Sequence, residues 1–267
     1  MEALRTHGAI DHLCVPSKAS RKVLRDQGFR RITVIPHGIS LALTSFHEDT
    51  RVLNELRAKA GARLILCPVR ADEHKDPQTF VRAAGIVKER LPNLPLVFAL
   101  TCGTEGDDGI TEEFADELKA IASIRKLREG TDLLFTRHFS YGDELYTAYT
   151  AAEIVVVPSI RESFGQAVLD GFMFKKPVVA RNSMALQETV RHLENGLLFD
   201  TTAELATHIE RLLLDSNLAD RLAQQGARDL EGRFEITAMA KSYRALYQRV
   251  VDDRGERLGR RFAILKG

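Results

Sequence analysis

Residues 154–179 read Ile-Val-Val-Val-Pro-Ser-Ile-Arg-Glu-Ser-Phe-Gly-Gln-Ala-Val-Leu-Asp-Gly-Phe-Met-Phe-Lys-Lys-Pro-Val-Val. Ile154 to Val157 is a short run of β-branched apolar residues, the pattern of a strand buried on both faces. Pro158 and Ser159 end it, and Arg161-Glu162-Ser163 makes a polar loop. From there Phe164, Val168, Leu169, Phe172 and Met173 fall at helical spacing, with Gln166 and Asp170 together on another face. Pro177 opens a second apolar run, Val178-Val179-Ala180. The unit is strand, polar loop, helix, strand. In an open parallel sheet, the loop leaving a strand's carboxyl end is where ligands bind. Ser163, Phe164, Gly165 and Gln166 stand at the helix start, where free backbone N–H groups and the helix dipole favour an anion. Gly165 has no Cβ, so a ligand can approach its backbone closely.

Pro158-Ser159-x-x-Glu162-Ser163-Phe164-Gly165, then Leu169-Asp170, then Lys176-Pro177-Val178-Val179, resembles the signature of the group 1 (family 4) glycosyltransferases. These are retaining, nucleotide-sugar-dependent enzymes of the GT-B architecture. Their pattern is Glu, seven residues, Glu; here it is Glu162, seven residues, Asp170, one methylene shorter. The resemblance implies a role for each site residue. Arg70 and Lys75, on the loop after the apolar run Leu64–Val69, clamp the donor diphosphate. Two cations there can neutralise a leaving diphosphate without a metal. Glu162 contacts the sugar ring, the backbone from Ser163 to Gln166 (Phe164 and Gly165 included) binds phosphate, and Asp170 accepts from ribose hydroxyls. The Pro36-His37-Gly38 turn leads across the cleft, which makes Gly38 a donor-site candidate. Arg137-His138-Phe139 stands where the base is held, with His138 either a base contact or a structural residue. Where the family has Gly-Gly, two residues, Glu, this chain has Met184-Ala185-Leu186-Gln187-Glu188; the Glu matches and the glycines do not. No Asp-x-Asp occurs, so a metal-bridged diphosphate is not expected; the resemblance implies a nucleotide sugar as donor substrate and no cofactor.

Composition narrows the alternatives. At 267 residues the chain is one large domain or two small ones. An apolar fraction of 44% supports a sizeable core. With 38 basic and 37 acidic side chains, no basic excess exists to draw in a nucleic acid. Cys14, Cys67 and Cys102 are far apart and read as free thiols. No apolar run approaches the roughly 18 residues of a membrane span, and the first residues are not those of a signal peptide. A cytoplasmic location is expected, with a weak contact of the basic tail at an acidic inner-membrane surface as the alternative.

Along the chain, three segments are expected: residues 1–40 as the remnant and hinge of an N-terminal domain, 41–253 as a Rossmann-like nucleotide-sugar-binding domain, and 254–267 as a basic, disordered tail. In the first, Ala9–Val15 and Ile32–Ile35 read as strands around a helix over Lys18–Gln27 capped by Ser17. In the second, strands at Leu64–Val69, Leu96–Leu100, Leu133–Thr136, Ile154–Val157, Val178–Ala180 and Leu197–Phe199 alternate with helical patterns. Those helices fall at Leu53–Ala60, Phe80–Leu91 (Asp76 as N-cap, Pro77 in its first turn), Glu112–Arg128, Leu145–Ala152, Ala203–Leu214, Leu218–Gly226 and Ile236–Val251. The acidic Gly-rich loop at 101–109 lacks a dinucleotide fingerprint. Alternation of this kind implies right-handed crossovers and a doubly wound parallel sheet; the resemblance implies that this sheet is the C-terminal half of a GT-B enzyme.

The function expected is retaining, metal-independent transfer of a hexosyl group from a nucleotide-diphosphate sugar to a glycan, lipid or small-molecule acceptor. The two carboxylates are about 12 Å apart at 1.5 Å per helical residue, which disfavours a glycosidase pair, whose separation is about 5–9.5 Å. The alternatives are a non-catalytic or partner-dependent nucleotide-sugar-binding module, which would seek a second copy or a separate N-terminal-domain chain, and a GT-B sugar-nucleotide epimerase.

Overall fold

The computed structural model describes residues 12–41, 46–56, 61–70, 72–101 and 111–264, with side chains as far as residue 253. Cys102 and the rest of the acidic loop through residue 109 lie outside the described residues, as do the first residues of the strand expected from Ala9.

Six parallel strands form the main sheet: β3 (Arg63–Cys67), β4 (Leu96–Leu100), β5 (Leu133–Phe135), β6 (Ile154–Val157), β7 (Val178–Arg181) and β8 (Leu197–Phe199). Their spatial order is β5-β4-β3-β6-β7-β8, every neighbouring pair parallel. The chain winds outward from β3 to β5, returns to place β6 beside β3, and winds outward again to β8. The reversal lies between β3 and β6, which makes the carboxyl ends of these two strands the place for a ligand.

Each strand is apolar on both faces. Ile65, Phe98, Ile154 and Val156 point into one core with Phe80, Ala84 and Val87 of α3 (Pro77–Arg90), Leu118 of α4 (Glu112–Ile124), and Leu205 and Ile209 of α8 (Thr202–Leu214). Leu66, Ala99, Val155 and Val157 point into the other. There they meet Val52 of α2 (Thr50–Glu55), Ala148 and Tyr149 of α5 (Asp143–Ala151), Val168, Leu169 and Phe172 of α6 (Gln166–Met173), and Leu230 of α9 (Ser216–Arg233). All four β6 side chains are at most 1% exposed, each worth about 1.5–3 kcal/mol of burial. This alternation from face to face explains why the strand sequences read as continuous apolar runs.

A second, two-stranded parallel sheet pairs β1 (Leu13–Val15) with β2 (Ile32–Val34) around α1 (Lys18–Asp26). Ser17 caps α1 by accepting from the Ser20 N–H at 3.0 Å, and Gly28 follows with φ +88°. The chain leaves this small sheet at Ile39 and returns past Glu235, and the two passages are bonded to each other. Ile39 N–H donates to the Phe234 carbonyl at 2.8 Å, and Ile236 N–H donates to the Ile39 carbonyl at 3.1 Å. Arg249, on α10 (Ile236–Ile264), reaches back to the Thr33 hydroxyl of β2 at 3.3 Å.

Several element bounds differ from the sequence expectation. The helix expected over Leu53–Ala60 begins earlier, at Thr50, because the Asp49 carboxylate accepts from the N–H groups of Arg51 and Val52; it closes at Glu55. The helix expected to run to Arg128 stops at Ile124, where Lys126 turns left-handed at φ +56°, and Ile124 is 78% exposed instead of packed. The helix expected over Leu218–Gly226 runs on to Arg233, since Gly226 sits where its missing Cβ would lie 2.4 Å from the Phe172 ring; it serves close packing and not termination. The tail expected to be disordered continues α10 as helix to Ile264, in keeping with its Arg, Glu, Leu and Ala content. No helix among the described residues is long and apolar enough to cross a membrane.

Candidate functional site

The loops leaving β3 and β6 meet at the reversal point. The β3 loop folds on itself first: the Asp72 carboxylate accepts from the His74 N–H at 2.7 Å, and the Asp72 carbonyl accepts from the Lys75 N–H at 2.9 Å. Asp76 then takes a left-handed backbone, φ +47°, and caps α3 by accepting from the N–H and hydroxyl of Thr79 at 3.2 and 2.7 Å. The result aims Lys75 at the β6 loop, where its ammonium pairs with the Glu162 carboxylate at 2.5 Å. The side chains are 21% and 15% exposed, so the pair is partly desolvated while still open to the cleft. The His74 carbonyl accepts from the Ile160 and Arg161 N–H groups at 2.8 and 3.2 Å, lacing the two loops together. The His74 side chain itself is exposed.

Gly165 ends the β6 loop. Its φ of +94° is open to glycine, and a Cβ there would stand 2.5 Å from Leu186. This left-handed residue is the N-cap of α6, whose start therefore has no side-chain cap. Ser163 and Gln166 are exposed there while Phe164 is buried. Phe164 packs against the His37 ring at 5.1 Å and the Phe234 ring at 5.8 Å, so the site loop rests on both chain passages between the sheets.

The other expected site residues are placed differently. Arg70 is exposed at the end of β3, with no ion pair among the described residues. Asp170 is 3% exposed and lies under α6, where its carboxylate accepts from the Gln166 amide at 3.3 Å. Burial raises its pKa from the usual carboxylate range to about 7, and the Gln166 amide pulls it the other way. It faces the phenol groups of Tyr149, whose titration burial pushes well above the ordinary range, and of Tyr141. Gly38 serves packing: a Cβ there would lie 2.7 Å from the Ile236 backbone. His138 is exposed beyond β5.

Three further participants stand outside the residues expected to meet the donor, and of these Arg181 carries no local sequence signal. Arg181, the last residue of β7, bonds the Pro158 carbonyl and the Asp76 carboxylate. Glu188, on α7 (Leu186–Thr189), accepts from the Lys18 and Ala19 N–H groups at 2.9 and 2.7 Å, an anion seated on the N-terminus of α1. Beside it the Ser20 hydroxyl donates to the Ser163 carbonyl at 3.3 Å. Met184 holds a left-handed backbone at φ +36°, the conformation suited to the glycine it replaces in the signature, and is 40% exposed. The repeated glycine pattern, had it been read as a backbone requirement, would have pointed to that turn.

A cavity of about 420 Å³ lined by Lys88, Arg125, Lys126 and Arg128 lies at the opposite end of the sheet. Its cations crowd the carboxyl ends of α3 and α4, where the helix dipoles favour them.

A family model described as glycosyl transferases group 1 matches residues 49–229. The chain belongs to this family. A D-inositol 3-phosphate glycosyltransferase of Paenarthrobacter aurescens (strain TC1) is 30% identical over 172 residues, 64% of this chain and 40% of that protein. Among solved structures, sucrose-phosphate synthase from Thermosynechococcus elongatus is 26% identical with a TM-score of 0.73, covering 90% of this chain and 58% of that one. Anabaena HepE, solved in complex with UDP and glucose, is 18% identical with a TM-score of 0.76, covering 90% and 63%. The group 1 chain described here spans about half the length of the curated relatives it matches or less, 54% and 40% for two of them. The doubly wound parallel sheet is accordingly the fold of the C-terminal half of a GT-B glycosyltransferase.

Proposed function

We propose that this chain binds a nucleotide-diphosphate sugar at the carboxyl ends of β3 and β6 and supports retaining glycosyl transfer without a metal or an organic cofactor. The observation that carries the reading is the Lys75–Glu162 pair at the reversal point of the sheet, beside the uncapped start of α6. A diphosphate has the charge to draw Lys75 away from Glu162, and the start of α6 offers backbone N–H groups to the same anion. Arg70, exposed and unpaired among the described residues, is free to turn onto the second phosphate. Glu162, once released, meets sugar hydroxyls as an acceptor. The acceptor molecule, a glycan, lipid or small molecule, would enter from the side of the β1–β2 sheet.

One observation favours a second reading, a nucleotide-sugar-binding module that is non-catalytic or depends on a partner chain. Asp170, expected to accept from ribose hydroxyls, is buried and bonded to the Gln166 amide, so a ribose would have to displace that partner to reach it. Calorimetric titration with UDP, GDP and ADP separates the possibilities. Micromolar affinity for one of them, lost in Lys75→Ala, supports the donor site and names its base. Equal, weak binding of all three with no effect of Lys75→Ala overturns it. Transfer assayed with and without the rest of a GT-B enzyme then distinguishes catalyst from module.

A further inference from the structure

Arg181 has no place in the motif that marks the donor loops, yet its side chain bonds both of them. Its side chain is 16% exposed and projects from the end of β7. The guanidinium lies over the Phe199 ring at 5.1 Å, the cross-strand partner of Arg181 on β8. From there it spends its donors in two directions: Nε on the Pro158 carbonyl at 2.7 Å, and Nη2 on the Asp76 carboxylate and the Thr79 hydroxyl, the latter at 3.2 Å. Pro158 begins the β6 loop and Asp76 ends the β3 loop. His74, Lys75 and Asp76 are thus tied to the β6 loop in succession, by a carbonyl, by an ion pair, and through Arg181. Lys75 is clamped from both sides. Asp76 holds its left-handed backbone, with a carboxylate 14% exposed, against this guanidinium.

We propose that Arg181 is a positioning residue that sets Lys75 opposite Glu162; its consequence for catalysis rests on the donor-site reading above. A planar, forked guanidinium can bond a carbonyl and a carboxylate while stacked on an aromatic ring, and a lysine cannot. Arg181→Lys keeps the charge and the buried stem and loses the bridge.

The test has one arm without ligand and one with it. In the full chain, the side-chain ammonium of Lys75 is followed by nitrogen-detected NMR and assigned by its loss in Lys75→Arg. An ammonium held by a carboxylate exchanges its protons slowly enough to be seen. The expected result is that the signal disappears or broadens in Arg181→Lys and in Asp76→Asn. Asp76→Asn retains an oxygen to cap α3 and so stands in if the arginine variant fails to fold. In parallel, UDP should bind Arg181→Lys at least tenfold more weakly than wild type, with a melting temperature close to that of wild type. An unchanged Lys75 signal in both variants overturns the proposal, whatever UDP does. Failure of wild type to bind any nucleotide diphosphate overturns the donor-site reading instead, and the ammonium signal still decides the tie.

Discussion

Two carboxylates eight residues apart in one motif have opposite surroundings. Glu162 lies in the loop, partly open and joined to an ammonium. Asp170 lies one turn into α6, sealed under it, with a neutral amide as its partner and burial raising its pKa to about 7. Gly165 separates them: its left-handed backbone turns the chain from loop to helix and swings the first acid toward the cleft and the second toward the core. Sequence spacing puts two acids in one motif. Desolvation and the nearest cation decide which of them is poised to meet a ligand and which is poised to hold a proton.

The largest effect should come from the buried acid. Its folded pKa of about 7 lies above the ordinary aspartate value of 3.8, so between these values the native state binds more protons than the unfolded one. Stability from this group is therefore fully present below about pH 4 and is lost as pH rises to about 7, a difference of about 4 kcal/mol. Asp170→Asn should remove that slope, and urea unfolding from pH 4 to 8 reads it; parallel pH profiles for wild type and variant would erase the contrast between the two acids. Next, Gly165→Ala should cost about 2–3 kcal/mol, from the left-handed backbone and the contact with Leu186. Thermal unfolding checks this, and a neutral result would mean the turn is not what sets the acids apart. Lys75→Ala should weaken UDP binding about 10- to 100-fold, the worth of one charge-assisted bond, whereas Asp170→Asn should change it less than Lys75→Ala does. Smallest of all, Gln166→Ala should cost under about 1 kcal/mol and move the Asp170 titration further upward, because the amide bond now favours the carboxylate. Carbon-detected NMR of the carboxyl group would follow it, and a downward shift would contradict the assignment.

The sheet was legible because each of its strands announces itself locally. Leu64–Cys67, Leu96–Leu100 and Ile154–Val157 are apolar at every position, and nothing in a globular chain needs that except a strand covered on both sides. The caps at Ser17 and Asp76 were legible for the same reason, since a cap and the N–H group it accepts from are three residues apart. Lys75 and Glu162 could be named as candidates from their motif neighbours, yet their pairing spans 87 positions and has no period to detect. Arg181 has no signal because its partner Asp76 lies 105 residues away; Glu188 is legible as a motif match, yet its seat on the start of α1, about 170 residues away, is not. The inward turn of Asp170 was hidden too: a helical acid four residues from a polar neighbour reads as solvated, and only the packing of α6 against the rest of the core buries it. Helix ends were misplaced where a polar stretch could continue or stop with equal ease, as at Ile124 and beyond Val251.

The reciprocal bonds between Ile39 and the Phe234–Ile236 segment have a mechanical consequence. Two covalent passages link the small sheet to the large one, and two separate connectors set well apart would oppose a rotation between the sheets. Stapled side by side, these two behave as a single joint. Any relative movement of the sheets must pivot about that joint, and sliding is resisted. The Glu188 carboxylate seated on the start of α1, with the Ser20 hydroxyl on the Ser163 carbonyl beside it, is then among the contacts such a pivot has to release.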